Sequence, residues 1–292
     1  MKKTVVGLGE VLWDMLPKGK QLGGAPINFS YHAGCLGHQA YAVSAVGNDD
    51  LGRLIVSQLE QKHVNPITPV TDYPTGTVNI SVDSEGIPQY DICQGVAWDY
   101  LPFTPEMKQL AEHTDAVCFG SLAQRNAASR HTIHQFLQTM PERDDVLKIF
   151  DVNLRQHYYD KEVIEESLAL CNVLKINDEE LPIITSLLSL QGSDAEAQCE
   201  DLLHRYALRM VIFTCGTKGS FVFSPDGISH AETPMVEVVD TVGAGDSFTG
   251  AFAGSLLKGK TVREAHQVAV RVSAYVCTQR GAMPEVPTSL FE

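Results

Sequence analysis

Short β-branched runs recur along the chain, each followed by apolar residues at helical spacing. TVVGLG opens the series, and AYAVSAVG, DAVCFG, VLKIFD, CNVLKIN and RMVIFTCG follow in order. Between them, residues 27–37, 50–62, 129–139, 161–170, 178–189 and 194–207 read as amphipathic helices. Strands that are apolar throughout and alternate with helices predict an α/β domain, its parallel sheet covered on both faces. One region breaks the rhythm. TGTVNISVDSEGIPQYDICQG, residues 75–95, alternates with period two and is expected to turn at Glu85-Gly86. Val78, Ile80 and Val82 fall on one face, Asn79, Ser81 and Asp83 on the other. With residues 11–23 it is expected to form a small β layer apart from the main sheet. The reading is a single domain over residues 1–292, with a lid at about 11–23 and 75–97 and no linker, repeat or low-complexity stretch.

Composition narrows the partners. The chain is 44% hydrophobic and 20% charged, ordinary for a globular protein, and carries a formal net charge of −14. That balance argues against general nucleic-acid binding or an anionic membrane surface, both of which need a basic face. An anionic ligand must instead be received by local cations, backbone amides or a metal. The seven cysteines are scattered, odd in number and never spaced Cys-x-x-Cys, which fits free thiols in a reducing cytosol. The start MKKTVVGLGEVLWD does not read as a signal peptide, and no run approaches a membrane span of about 18 apolar residues. A cytoplasmic location is expected.

Open parallel sheets bind ligands beyond the carboxyl ends of their strands. Here those ends carry polar residues: Gly120, Ser121 and Arg125; Asp151, Asn153 and Arg155; Asn177 and Glu180; Thr214, Gly216 and Gly219. One such end could simply turn the chain. Four together point to a site.

The stretch VVDTVGAGDSFTGAFAG sets Gly243, Ala244 and Gly245 before a helical pattern of Phe248, Ala251, Phe252 and Leu256. A glycine turn entering a helix exposes unpaired amides, and the helix dipole adds positive potential. The result is an anion hole with a carboxylate, Asp246, at its rim. Asp246 could be an ordinary N-cap. It could equally accept a hydroxyl proton beside donors for a transferring phosphoryl group. In QLGGAPINFSYHAG, Gly23-Gly24 would let backbone approach a ligand, with Asn28 on the first helical turn, or it is a plain loop before a helix. There is no Walker A motif, and GLGEVL lacks the third glycine of a dinucleotide fingerprint. His131 and His134 lack a third metal ligand nearby, so a solvated or packing pair is expected. Trp98 and Asp99 either close over a ligand or end the hairpin segment.

Together these residues resemble the ribokinase-like (PfkB) carbohydrate kinases. GGAPINFSYHAGCLGHQAYAVSAVGNDDLGR is similar to that family's N-terminal signature, DTVGAGDSFTGAFAG to its C-terminal one, NDEE to its Asn-x-x-Glu motif and TCGTKG to its nucleotide loop. GEVLWDMLP, GGAPINF and FGSLAQR look most like bacterial fructokinases. The resemblance implies a three-layer fold with a mostly parallel sheet and a β lid. It implies Asp246 as the base and the Gly243, Ala244 and Gly245 amides as the phosphate hole. Asp14, Gly24, Asn28, Asn153 and Arg155 match sugar-side positions, and Thr214, Gly216 and Gly219 match nucleotide contacts. Asn177 and Glu180 would order the water shell of magnesium. Asp240 and Val242 match a monovalent-cation (potassium) site completed by residues 276–285, although VCTQRGAMPE departs from the family's usual small residues there.

The expected activity is ATP-dependent phosphorylation of a primary hydroxyl of a free hexose, fructose first. A 2-keto-3-deoxygluconate kinase would need a cation for the substrate carboxylate, for which Arg125 is the candidate; a ribokinase is a further alternative. A phosphosugar kinase would need basic residues near Asn28, where only His32 occurs. A nucleoside kinase would want aromatic walls for a base, which the sequence does not settle. A non-catalytic sugar sensor would be expected to lose the base or the hole, and both are present. A lone hairpin is marginal in water. Its apolar face therefore needs cover, and family members often pair their lids, so a homodimer through the lid is expected.

Overall fold

The computed structural model describes residues 2–16, 19–82 and 88–292, and the side chains of all of these except 80–82 and 88–90. The chain begins with β1 (Thr4–Leu8), β2 (Leu12–Leu16), β3 (Gly19–Gly23) and α1 (Ala25–Cys35). Next come β4 (Gln39–Val43), the two-residue β5 (Val46–Gly47), α2 (Asp50–Gln61), β6 (Val64–Ile67) and the two-residue β7 (Val70–Thr71). The pair β8 (Thr77–Val82) and β9 (Pro88–Ile92) leads to α3 (Pro105–Ala111). Alternation then sets in: β10 (Ala116–Gly120), α4 (Ala127–Thr139), β11 (Leu147–Asp151), α5 (Lys161–Leu170), β12 (Val173–Asn177), α6 (Glu180–Leu188), α7 (Ala195–Arg205) and β13 (Met210–Thr214). The last elements are β14 (Ser220–Ser224), β15 (Gly227–Ala231), α8 (Ala244–Leu257) and α9 (Val262–Cys277).

Among the described residues, nine strands make the main sheet, in the order β15-β14-β13-β12-β11-β10-β1-β4-β6. All its pairings are parallel except the antiparallel edge of β13, β14 and β15. From β1 the chain winds outward to β4 and β6 on one side and to β10 onward on the other. That reversal opens a crevice at the carboxyl ends of β1 and β10, where such sheets take ligands. One apolar core packs α4, α5, α6 and α7 against one face, and a second packs α1, α2, α8 and α9 against the other.

A separate four-stranded sheet, in the order β3-β2-β8-β9, draws on both segments that the period-two reading singled out. β2 pairs parallel with β8, Asp14 opposite Val78, which joins the two segments into one layer. The expected turn at Glu85-Gly86 lies outside the described residues.

Four sequence readings change or are narrowed. The helix expected over 27–37 is not amphipathic: residues 26–33 of α1 are all buried, because α1 lies between the sheet and α8. The supposed loop 276–285 starts inside α9, which runs to Cys277. Of the two readings open for Trp98 and Asp99, the structure favours the second: they lie in a short buried 3-10 turn after the hairpin. The antiparallel strands β14 and β15 and the edge strand β6 were not anticipated.

Candidate active site

The glycine turn takes the shape its residues demand. Gly243 is the N-cap of α8, with φ 77° and no side-chain cap. A Cβ there would stand 2.5 Å from Ala282 Cβ, so only glycine lets the turn lie against that loop. Asp246 is therefore not the cap: it sits inside the first turn of α8. Helix geometry leaves the amides of Gly245 and Asp246 without intrahelical acceptors, whereas the Ala244 amide is already given to Thr241 O at 3.2 Å.

Opposite this turn, α1 begins at Gly24, φ 124°, where a Cβ would fall 2.4 Å from Glu10 O. The close approach seats Asn28 on the first helical turn, buried, with its Nδ2 donating to Asp246 Oδ2 at 2.7 Å. Residues 218 positions apart thus meet across two helix N-termini. Burial raises the Asp246 carboxyl above its ordinary value, while the Asn28 bond and the charges of Lys175 and Arg155 oppose that rise.

Beneath the turn lies a charge that the sequence reading missed. Lys175 Nζ pairs with Asp151 Oδ1 at 3.1 Å, both side chains almost fully buried. Burial raises the Asp151 carboxyl to about 6, and among its neighbours Lys175 pulls it down while Glu180 and Asp246 push it up. The Lys175 ammonium is held above its ordinary value because the attraction of Asp151, Glu180 and Asp246 outweighs its burial. A Cβ on Gly245 would sit 3.1 Å from Lys175 Nζ, so the ammonium lies directly under the glycine turn. A lysine within the otherwise apolar VLKIN was the available signal, since such a charge requires a buried partner.

Asn177 and Glu180 form a reciprocal cap at the start of α6. Asn177 Oδ1 accepts from the amides of Glu179 and Glu180 at 2.9 and 2.8 Å, and Glu180 Oε2 accepts from Asn177 N at 3.0 Å. Glu180 Oε1 accepts from Leu154 N at 3.1 Å, tying α6 to the loop after β11. That loop carries Asn153, buried in the left-handed region at φ 42°, and the exposed Arg155. Arg155 favours the ionised forms of Asp14, Glu10 and Asp246 alike, which puts these four groups around one space. Asp14, on β2 of the small sheet, is raised by burial.

On the far side of the glycine turn opens a cavity of about 460 Å³. It is lined by Thr214 at the end of β13, by Gly216 and Gly219 after it, by Gly245, and by a loop including the fully exposed Met235. Ser273 and Cys277 of α9 complete the wall, a contribution the sequence reading did not foresee. Asp240 accepts from Val242 N through Oδ1 and from Gly281 N through Oδ2, both at 3.0 Å, so it joins the two segments read as one cation site. Val242 itself is half exposed.

Two candidates fall elsewhere. Arg125 gives its guanidinium to Asp99 in a buried pair and stacks between the rings of Trp98 and Tyr158. His134 bonds Gln124 Oε1 at 3.2 Å, and no metal-holding cluster of His, Cys, Asp or Glu occurs among the described residues. No helix is long and apolar enough to cross a membrane among the described residues.

The sequence pattern of the pfkB family carbohydrate kinases matches residues 18–289. An ATP-dependent 6-phosphofructokinase of Thermoanaerobacterium thermosaccharolyticum is 28% identical, the alignment spanning 98% of this chain and 91% of that protein. A fructokinase of Salmonella typhimurium is 26% identical over 98% of this chain and 97% of its own. The crystal structure of a Xylella fastidiosa fructokinase with bound ATP superposes with a TM-score of 0.82 at 20% identity, covering 97% of this chain and 94% of that one, a likeness of fold.

Proposed function

The chain belongs to the pfkB family of carbohydrate kinases, and on that premise we propose that it transfers the γ-phosphoryl group of ATP to a primary hydroxyl of a free hexose, fructose first. The observation that carries this reading is the 2.7 Å bond between Asn28 and Asp246 at the mouth of the glycine turn. It sets a partly buried carboxylate beside the cavity that Gly245 lines.

In this reading the sugar lies among Asp14, Gly24, Asn28, Asn153 and Arg155, under the small sheet. Asp246 accepts the proton of the attacking hydroxyl, oriented by Asn28. The Gly245 and Asp246 amides and the α8 dipole receive the transferring oxygens. Gly243 contributes the turn that exposes them, and Ala244 its place in it. The nucleotide occupies the 460 Å³ cavity, against Thr214, Gly216 and Gly219. Asn177 and Glu180 offer hard oxygen donors of the kind magnesium takes through its waters. When bound, that ion would neutralise phosphate charge. Asp240 and Val242, braced to Gly281, are the proposed place for a monovalent cation. The small sheet covers the sugar and excludes water as a competing acceptor.

The rivals lose their anchors. Arg125, the cation that a sugar acid would need, is spent on Asp99. A phosphorylated acceptor is the second reading, because a 28%-identical relative is named a 6-phosphofructokinase. However, within GGAPINFSYHAG the one basic residue, His32, is buried, bonded to Ala282 O, and pushed down to about 4 by that burial, so it is neutral at pH 7 and offers no charge. Arg155 is then the cation that a phosphorylated acceptor would have to use. Residues of the small sheet, including the exposed Met15 and Leu16, are the proposed contact of a homodimer. Light scattering checks that: a dimer is expected, and a clean monomer at micromolar concentration removes it.

A coupled assay with ATP tests the whole. Free fructose should be the best acceptor among ketoses, aldoses, 2-keto-3-deoxygluconate and fructose 6-phosphate. Turnover of fructose 6-phosphate alone would replace this reading by the second.

A further inference from the structure

Two buried polar atoms beside Asp246 have no partner among the described residues: Glu10 Oε2 and Asn28 Oδ1. The side chain of Glu10 follows the carboxyl end of β1, at the sheet's switch point, and the residue is only 2% exposed. A buried carboxyl oxygen left unpaired is costly, and such atoms normally have a partner. Asn28 has given one of its two amide hydrogens to Asp246, and its Oδ1 remains an unused acceptor. The groups that act on Glu10 are its own backbone amide, Asp246 from α8, Arg155 from the loop after β11 and the Ala25 amide at the start of α1. Cys118 on β10 feels it as well. Burial raises the Glu10 carboxyl to about 7, and Asp246 adds to the rise. Two carboxyls act on one another here, and the charge of Asp246 favours the protonated form of Glu10.

Resting on the sugar-kinase reading above, we propose that Glu10 is a substrate-binding residue, its Oε2 hydrogen-bonding a second hydroxyl of the acceptor beside the one that Asp246 deprotonates. Asn28 Oδ1 and Glu10 Oε2 then present two hydrogen-bonding oxygens to the same molecule. A sugar with neighbouring hydroxyls satisfies both, because each hydroxyl can donate and accept. A carboxylate or phosphate at that point brings only acceptors and meets Asn28 Oδ1, Asp246 and the partly ionised Glu10. The pair therefore selects a neutral polyhydroxyl acceptor.

The test measures KM for the acceptor, KM for ATP and melting temperature on Glu10→Ala, Glu10→Asp and Glu10→Gln. Glu10→Ala should raise the acceptor KM about ten-fold or more, the scale of a lost buried hydrogen bond, with the ATP KM unchanged. Glu10→Asp keeps a carboxyl in the core but withdraws it, and should raise the acceptor KM while the protein stays folded, even if the alanine variant does not. Glu10→Gln keeps reach and hydrogen bonding and should stay within about three-fold of wild type. An acceptor KM unmoved in both Glu10→Ala and Glu10→Asp, with only the melting temperature lowered, overturns the assignment. If wild type phosphorylates no neutral sugar, the kinase reading itself has failed, a result visible before any variant is made.

Discussion

Lys175 Nζ stands 3.1 Å from Asp151 Oδ1, both side chains buried, directly below the glycine turn that opens α8. The pair places one fixed cation under the point where phosphoryl charge is expected to gather, and it holds that cation with a carboxylate that does not reach the surface. Removing one partner from such a pair strands the other.

Lys175→Met should therefore destabilise the protein by about 3–5 kcal/mol at pH 7. The loss should be smaller at pH 5, because the Asp151 carboxyl, already raised to about 6, then takes a proton. Urea denaturation at the two pH values checks this. The double variant Lys175→Met/Asp151→Asn should recover much of the stability but not the turnover. Recovery of both would make the pair purely structural.

Gly245→Val should impair ATP turnover while sugar still binds. Gly245 lies in ordinary helical conformation within α8, so a side chain there forces no unfavourable backbone angle. What a side chain meets is Lys175 Nζ at 3.1 Å. The valine should displace the ammonium and narrow the turn, and Gly245→Ala should do so less. Steady-state kinetics with each substrate varied separately decide it; ATP kinetics unchanged in the valine variant would remove the turn from the mechanism.

Glu180→Gln addresses a residue that caps α6 and is proposed to order the waters of magnesium. Losing the charge from the reciprocal cap should cost about 1 kcal/mol, read as a lower melting temperature. It should also raise the magnesium concentration needed for half-maximal rate. A lower melting temperature with an unaltered magnesium titration would leave Glu180 as a cap alone.

Acid should destabilise the protein through two buried histidines. His266 bonds Ser220 Oγ and Ser229 Oγ through its two ring nitrogens, and burial pushes both it and His32 down to about 4. Between the ordinary value of 6.5 and about 4, the unfolded chain binds protons that the folded chain refuses, so stability falls as pH falls. Each histidine contributes on the order of 3 kcal/mol. Glu10 runs the other way, since its folded carboxyl is raised and stability is lost as pH rises from 4.5 to about 7. Asp151, raised to about 6, opposes the histidines over the same window, so the signs are separated by a variant: the loss of stability from pH 6.5 to pH 4.5 should be larger in Glu10→Gln than in wild type, and Glu10→Gln should gain more stability at pH 8 than at pH 5. Melting temperatures that show a loss no larger in Glu10→Gln than in wild type would contradict this.

Much of this was legible in the chain because local chemistry and fold agree. β1, β4, β10, β11, β12 and β13 read as apolar runs because buried parallel strands must be apolar on both faces. The glycine turn announced itself because Gly243 alone tolerates both φ 77° and the contact with Ala282. Other features were hidden because they depend on partners far along the chain. α1 looked amphipathic, and only the packing of α8 against it explains its burial on every side. Asp246 read equally as a cap or as a proton acceptor, and the helix start at Ala244, with Gly243 as N-cap, removes the cap. Lys175 and Glu10 stood in view as charges next to apolar strands, but their meaning requires Asp151 and Asp246, which the sequence does not place beside them. Residues 262–277 gave α9, whose Ser273 and Cys277 wall the cavity only because the chain returns there.

The central claim is that Asp246 takes the proton of the acceptor hydroxyl. Asp246→Asn keeps the shape of the side chain, and turnover with ATP and the preferred sugar, measured together with melting temperature, tests it most directly. Turnover should fall by at least ~10², the scale of lost general-base catalysis, while melting temperature and sugar binding stay near wild type. Near-wild-type turnover in a folded Asp246→Asn protein would contradict the account.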